Sequence, residues 1–481
     1  MKGLAIFFNV ACSFSAFQGD FFMYILDDTI AAISTPPGEG GIAIIRISGE
    51  DAISVADRVY YSKHGKMLSD VASNTINYGF VRDNDGNIVD EVLVSVMRAP
   101  HTYTGEDVVE INCHGGFVST RKILSLVLGA GAVQAGAGEF TKRAFLNGRI
   151  DLSQAESVID IINSKTNLDH NIAVNQLGGK LSEEINSLRE KLLSLLSHIQ
   201  VLIDYPDEDL EPMSEEEFAG VLTDVLSETK SLLATSDCGK IARNGISTAI
   251  VGKPNVGKSS LLNLLSGEER AIVTDIEGTT RDAIEETINL SDVVLKIADT
   301  AGIRDTEDVI ENIGVSKSKK YLEDADLVLF VLDGKRPLDE NDRYIMENIK
   351  GKNAIAIINK TENGCVIDAD EIKNFCPRTI MFSVHENLGT KELTDTITEL
   401  FDMGKIKNNS GSVIANARHK DALIKAEKNI QSAIDALSQG VPQDMVSVDI
   451  ESAISNLGEI VGLTVGEEVV DKIFHNFCIG K

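Results

Sequence analysis

Residues 252–259 read Gly-Lys-Pro-Asn-Val-Gly-Lys-Ser, and no other stretch constrains the chain as tightly. The apolar run Thr248-Ala249-Ile250-Val251 before it predicts a buried strand, and Ser260-Leu261-Leu262-Asn263-Leu264-Leu265 after it predicts the first turns of a helix. A G-x-x-x-x-G-K-S loop between a strand and a helix is the phosphate-binding P-loop in the context it requires. Gly252 and Gly257 let the backbone turn tightly, so that successive N–H groups point at phosphate oxygens. Lys258 supplies a point charge for the β- and γ-phosphates, and Ser259 a hydroxyl for Mg²⁺. The candidate nucleotide contacts of the loop are Asn255, Val256, Gly257, Lys258, Ser259 and Ser260. The bland alternative is a glycine-rich turn that binds nothing. With every fixed position filled and both flanks correct, it carries little weight.

Downstream, Asp299-Thr300-Ala301-Gly302 closes a predicted strand from Val293 to Ala298. An aspartate there sits where it can hold the water shell of Mg²⁺, and the Gly302 N–H can sense the γ-phosphate. Between the two motifs lies Gly278-Thr279-Thr280-Arg281-Asp282, whose Thr280 hydroxyl is the natural second Mg²⁺ ligand. Asn359-Lys360-Thr361-Glu362 follows a predicted strand from Ala354 to Ile358, and Ser383-Val384-His385 follows one from Thr379 to Phe382. In order and spacing these are the five signature elements of a GTPase. The fourth departs from the usual N-K-x-D, in which an aspartate accepts two hydrogen bonds from guanine, because Glu362 stands one methylene further out. Guanine preference is expected to be kept, with weaker affinity, since a longer arm loses more rotamer freedom on binding. Ile303 stands where Ras-like proteins carry a water-positioning glutamine, so another group must orient the nucleophile.

A chain of 481 residues is too long for one core, so two to four domains are expected. Its 43% hydrophobic and 25% charged content fits a soluble globular protein. A net charge of −29 argues against a protein that coats nucleic acid non-specifically, so any such contact needs a local patch or a partner subunit. The six cysteines show no C-x-x-C spacing, which suggests reduced thiols in the cytoplasm and no zinc site. Residues 1–22 begin like a short signal peptide, but Asn9, Ser13 and Ser15 interrupt the apolar run. A mis-assigned start or extension, with Met23 as the natural initiator, is the preferred reading. Nothing later reaches transmembrane length.

From Met23 to Asn147 the signals are strand-like and turn-rich: Ile42 to Ile47, Glu91 to Val96 and Asp107 to Ile111 predict strands, and Ser119 to Leu128 a helix. Helical spacing then takes over in Leu152, Ala155, Val158, Ile159 and Ile162 and from Leu181 through Ile203. The acidic stretch from Asp207 to Glu217 reads as a solvated loop. Strands alternate with helices from Lys240 to Met403, and helical patterns return from Arg418 to Leu437 and from Val448 to Phe477. The expected fold is a multidomain α/β and α+β chain. An α+β domain at 23–147 precedes a helical domain split into 148–240 and 406–481, and a Ras-like P-loop domain with a parallel-rich sheet is inserted at 241–405.

The combination resembles the tRNA-modification GTPases of the MnmE (TrmE) family, from about Asp28 to the last residue. Phe477-Cys478-Ile479-Gly480-Lys481 is similar to the family's C-I-G-K ending, and Phe145 to Glu156 (FLNGRIDLSQAE) to its N-terminal junction motif. The domain order matches too. The resemblance implies a GTPase activated when its G domains dimerise, with K⁺ in place of an arginine finger. Asn255 would ligate that K⁺, and the loop Thr274-Asp275-Ile276-Glu277-Gly278-Thr279 would add carbonyls from Thr274, Ile276 and Thr279. A cation there offsets charge developing in the transition state; alone, Asn255 reads equally as a turn residue. Glu311 matches the family's catalytic glutamate, which would orient water; by spacing alone, Glu307 and Asp308 are equal candidates.

The resemblance further implies a tetrahydrofolate site, for a 5,10-methylene or 5-formyl derivative, at Arg46, Glu110, Arg149 and Lys481. Taken singly, each of these is as readily a surface charge. Cys478 is a candidate nucleophile or acid toward the uridine ring, although a cysteine in an apolar segment is more often simply buried. The implied activity is addition of a carboxymethylaminomethyl or aminomethyl group at C5 of a tRNA wobble uridine. It would be shared with an FAD-dependent partner of the MnmG type in a two-to-two assembly of a homodimer, with tRNA as substrate and no membrane. The competing class is a ribosome-assembly GTPase of the Era or Der kind, but the KH-type G-x-x-G loop in a basic setting that should follow its G domain is not found after residue 405.

Overall fold

A computed structural model describes residues 28–204, 213–268, 286–297, 322, 324–373, 375–404 and 411–481. The chain divides into two units, one built from residues up to Ile159 together with Ile454–Lys481, the other from Asp160–Ala453.

Seven strands form the sheet of the first unit: β1 (Ile30–Ile33), β2 (Gly40–Ser48), β3 (Tyr60–Tyr61), β4 (Thr75–Arg82), β5 (Ile88–Met97), β6 (Val108–Gly115) and β7 (Val133–Gln134). Their order is β3-β4-β5-β6-β2-β1-β7. Helices α1 (Ala52–Val59) and α2 (Phe117–Gly129) supply Val55, Ile123 and Val127 to one core with Ile45, Ile47, Val94, Val96, Val109 and Ile111. Because side chains alternate along a strand, burying Ile45 and Ile47 turns Arg46 to the other face. The antiparallel register then sets Arg46 directly opposite Glu110.

Helices α3 (Glu139–Leu146) and α4 (Leu152–Asn163) begin the helical part. Ala144, Phe145, Leu152 and Ala155 form a second core with Val470 and Phe474 from the C-terminal helix, Glu467–His475, and Phe477 just after it. The helical pattern expected from Val448 to Phe477 is therefore two helices, the earlier ending at Val461. Gly462 breaks it: its φ is +90°, and a Cβ there would lie 2.8 Å from Leu152 and 2.9 Å from the Phe145 ring.

In the second unit α5 (Asn167–Leu177), α6 (Lys180–Asp204), α7 (Glu215–Leu233) and α8 (Ser236–Asn244) precede a six-stranded sheet. The acidic stretch read as a loop is partly helix. Residues 205–212 lie outside those described, but Glu215, Glu216 and Glu217 form the first turn of α7. There Ser214 and Glu217 make a reciprocal capping box, and the carboxylates complement the helix dipole. The sheet comprises β8 (Ile246–Val251), β9 (Glu286–Leu290), β10 (Val293–Ile297), β11 (Leu327–Asp333), β12 (Ala354–Asn359) and β13 (Arg378–Met381), in the order β13-β12-β11-β8-β10-β9. All neighbours are parallel except β9 with β10. Every residue of β11 and β12 is buried, as expected of a parallel sheet covered on both faces. Helix α9 (Lys258–Glu268) follows β8.

The way into this module and the way out run side by side. Gly239 approaches Ile414 so closely that a Cβ would lie 2.3 Å from its carbonyl oxygen, and the Ile414 N–H donates to Thr235 Oγ1 at 3.0 Å. The α/β module is thus an insertion between helices, with the helix Ala417–Ser438 packed on α7 after it. Among the described residues, no helix is long and apolar enough to cross a membrane.

Candidate functional site

The carboxyl end of β8 releases the chain into the loop at 252–257, whose backbone needs its two glycines. Gly252 has φ +149° and a Cβ there would sit 2.3 Å from the Val331 oxygen; Gly257 has φ +104° and a Cβ there would sit 2.2 Å from Asn359 Nδ2. Asn255 adopts φ +64°, a left-handed conformation that asparagine tolerates better than most residues. Val256 is buried beneath the loop. Lys258 opens α9, and its ammonium donates to the carbonyls of Gly252 at 2.8 Å and Lys253 at 2.7 Å. Burial pushes this lysine down to about 8, and an anionic phosphate beside it would draw it back up. Ser259 and Ser260 follow in the first turn, at the end of the helix whose dipole favours anions.

The ends of β11, β12 and β13 bring the other half of the site to this loop. Asn359 donates through Nδ2 to the Val256 carbonyl at 2.9 Å and accepts through Oδ1 from the Val384 N–H at 3.3 Å. Lys360 Nζ donates to the Asn255 carbonyl at 2.8 Å and pairs with Asp333 Oδ2 at 2.7 Å. The Glu362 carboxylate faces Lys335 Nζ at 3.0 Å and accepts from Ser383 Oγ at 3.2 Å. Its own backbone N–H, then Lys335 and Ser383, hold this carboxyl below the ordinary glutamate range. His385 is exposed beside them. The structure thus gathers Asn255, Val256, Gly257, Lys258 and Ser259 with Asn359, Lys360, Glu362, Ser383 and Val384. The expected positions Thr274, Asp275, Ile276, Glu277, Gly278, Thr279, Thr280, Asp299, Thr300, Ala301, Gly302 and Glu311 lie outside the described residues. Among the Mg²⁺ and K⁺ candidates, only Ser259 and Asn255 are therefore placed.

A second cluster lies in the first unit. Arg46 Nε donates to Glu110 Oε1 at 2.9 Å, and its Nη1 donates to the Gly480 carbonyl at 3.2 Å. The guanidinium lies 5.5 Å from the centre of the Tyr103 ring and 5.6 Å from that of Phe140, within cation–π range. Exposed Arg149 approaches the Tyr103 ring at 5.3 Å. The C-terminal tail is strapped alongside. Ile479 bridges Ala137, the Gly138 N–H donates to the Cys478 carbonyl at 3.3 Å, and a Cβ on Gly480 would lie 2.3 Å from the Ile33 oxygen. Cys478 is exposed rather than buried, and Lys481 ends the strap. Tyr103 and Phe140 escaped the sequence reading: Tyr103 lies in a turn-rich stretch and Phe140 in the first turn of α3, and no local pattern marks either ring. A carboxylate, two guanidinium groups and two aromatic faces at one place suit a flat heteroaromatic ligand with both donors and acceptors.

A parallel sheet with a P-loop at the tip of β8 and an Asn-Lys-x-carboxylate sequence at the tip of β12 defines a P-loop GTPase, here inserted into a helical domain that follows an α+β unit. A family model described as the MnmE helical domain matches residues 152–478, and one described as the GTP-binding protein TrmE N-terminus matches residues 29–149. The tRNA modification GTPase MnmE of Clostridioides difficile (strain 630) is 52% identical over 458 residues, which cover 95% of this chain and 100% of that one. Those of Alkaliphilus metalliredigens (49% over 459 residues; 95% and 100%) and Geobacillus thermodenitrificans (50% over 458 residues; 94% and 99%) are similar to the same extent. The chain belongs to the tRNA modification GTPase MnmE family, which sets aside the ribosome-assembly class.

Proposed function

We propose that this chain is a K⁺-dependent GTPase of the cytoplasm that pairs with itself through its G domains. With an FAD-dependent partner of the MnmG type it places a carboxymethylaminomethyl or aminomethyl group on C5 of the wobble uridine of certain tRNAs. A tetrahydrofolate derivative supplies the one-carbon unit, and glycine or ammonium the amine. The observation that carries the reading is the knitting of the P-loop to the base-reading segment through Asn359 and Lys360, in a chain that spans its relatives' whole length.

In this reading the nucleotide's phosphates lie against the N–H groups of residues 255–260, and Lys258 turns its ammonium from loop carbonyls to phosphate oxygens. Ser259 and Thr280 would hold Mg²⁺. Asn255, whose carbonyl rather than its side chain accepts from Lys360, would ligate K⁺ through its side-chain oxygen, with Thr274, Ile276 and Thr279 as the further ligands. A bound K⁺ supplies positive charge where the transition state develops negative charge. Glu311 orients the attacking water that Ile303 cannot. Replacing K⁺ by Na⁺ at constant ionic strength is expected to lower GTP hydrolysis sharply and to abolish pairing with a transition-state mimic of GTP. Equal rates and unchanged size in both salts would refute it.

Arg46, Glu110, Arg149 and Lys481 would hold the folate, with Tyr103 and Phe140 as apolar walls, and Cys478 would face the uridine. Arg46→Met removes the cation that faces Glu110 while keeping an unbranched apolar stem. It is expected to weaken tetrahydrofolate binding by about tenfold in calorimetric titration, the worth of one charge-assisted contact. Binding unchanged by this substitution would move the folate elsewhere. Mass spectrometry of wobble uridines from a strain lacking the gene tests the whole reading, and unaltered uridines would overturn it.

A further inference from the structure

The glutamate in the base-reading segment poses a physical problem that its surroundings answer. A carboxylate selects guanine by accepting from N1–H and from the 2-amino group at once, so both oxygens must face the base edge. The additional methylene of Glu362 adds a rotatable bond that has to be frozen for this. In the structure both oxygens are already held: Oε1 by Lys335 Nζ at 3.0 Å, Oε2 by Ser383 Oγ at 3.2 Å. Ser383 is fully buried and fixed in turn by the Glu386 N–H, 3.3 Å from its hydroxyl oxygen. Lys335 starts from an equally fixed backbone. Its N–H donates to Asp333 Oδ1 at 3.1 Å, and the Gly334 N–H donates to the Asn359 carbonyl at 2.8 Å. A carboxylate has about four lone-pair sites. Lys335 takes one on Oε1 and Ser383 one on Oε2, so each side-chain partner fixes a different oxygen.

We propose that Lys335 is a positioning residue for base selection, its ammonium locking the long Glu362 arm in the orientation that reads guanine. The inference rests on the reading of Glu362 as the guanine-selecting carboxylate. An ordinary surface ion pair between two mobile side chains would contribute little. Here the carboxylate side is only 19% exposed and has a second, buried partner, so the lysine completes the hold on both oxygens.

The test is fluorescence titration of the full-length protein with labelled GDP, IDP and ADP. The proteins compared are the wild type, Lys335→Met, Lys335→Arg, Glu362→Asp, the Lys335→Met/Glu362→Asp double variant and Glu362→Ala. Lys335→Met should weaken GDP about fivefold, the upper end for a partly exposed ion pair, and leave ADP unchanged. Lys335→Arg should stay within about twofold, since the cation is kept. In the Glu362→Asp background, where the shorter arm is beyond the clamp, adding Lys335→Met should cost less than about twofold. A Lys335→Met protein that binds GDP like wild type, or that loses the same factor in both backgrounds, overturns the proposal. If Glu362→Ala keeps the preference for GDP over ADP, the guanine reading itself fails and the proposal with it. If Glu362→Ala loses that preference while Lys335→Met keeps full GDP affinity, only the role of Lys335 falls.

Discussion

Gly257→Ala is expected to abolish nucleotide binding while leaving the first unit folded. The methyl group would start 2.2 Å from Asn359 Nδ2, well inside van der Waals contact, and the backbone at φ +104° already disfavours any side chain. Asn359 cannot simply retreat. Its amide holds the Val256 carbonyl at 2.9 Å and the Val384 N–H at 3.3 Å, so moving it detaches the P-loop from both base-reading segments. Loss of the loop's geometry removes the phosphate contacts together, and GDP affinity should fall by more than about a hundredfold, or roughly 3 kcal/mol. Gly267→Ala is the matched control: it lies in α9 of the same module with nothing within 4 Å of the added carbon, and should leave affinity unchanged. Fluorescence titration with labelled GDP reads both. A Gly257→Ala protein that binds within about threefold of wild type would mean that the contact with Asn359 is not what holds the site.

The nucleotide site was legible in the sequence alone. P-loop chemistry is set by fixed spacing within one loop, and the strand that must precede it is a short apolar run. β8, β10, β12 and β13 accordingly fall on the predicted segments to within about two residues, the ordinary uncertainty of element ends. What joins distant segments was not legible. The register that sets Arg46 opposite Glu110 depends on how two strands far apart in sequence pair, and nothing local encodes it. β4 was missed although Ile76, Tyr78 and Phe80 alternate with Asn77 and Gly79, because the alternation does not mark the buried face: Ile76 and Tyr78 are exposed while Gly79 and Val81 are buried. The break at Gly462 was missed for a related reason. The helical pattern continues on either side, and what stops the helix is the close approach of Leu152 and Phe145 from the far end of the chain. The acidic turn before Phe218 misled in the opposite sense, because a carboxylate-rich run is equally the signature of a solvated loop and of a well-capped helix start.

Arg143 is the residue whose burial the sequence concealed most completely, and Arg143→Met should destabilise the first unit by about 3–5 kcal/mol. The side chain is 1% exposed. Its guanidinium donates to the Asp28 carbonyl at 2.8 Å, to Glu106 at 3.1 Å and to Glu139 at 3.1 Å, while Glu106 also accepts from Ser48 Oγ at 2.7 Å. Methionine fills most of the same volume, so the loss is electrostatic: Glu106 is left a largely desolvated anion without its cation. Adding Glu106→Gln removes that anion and should recover most of the stability, because an ion pair replaced on both sides often costs little. Denaturant unfolding with and without GDP separates the units, since the nucleotide stabilises only the one that binds it. The functional consequence runs through α3. That helix carries Phe140, whose ring lies 5.6 Å from the Arg46 guanidinium, and begins after Gly138, which receives the C-terminal strap. Loosening it should weaken tetrahydrofolate binding in step with stability while GDP affinity stays at the wild-type value. An Arg143→Met protein that unfolds at the wild-type denaturant concentration would show that the buried arginine merely tolerates its site instead of organising it.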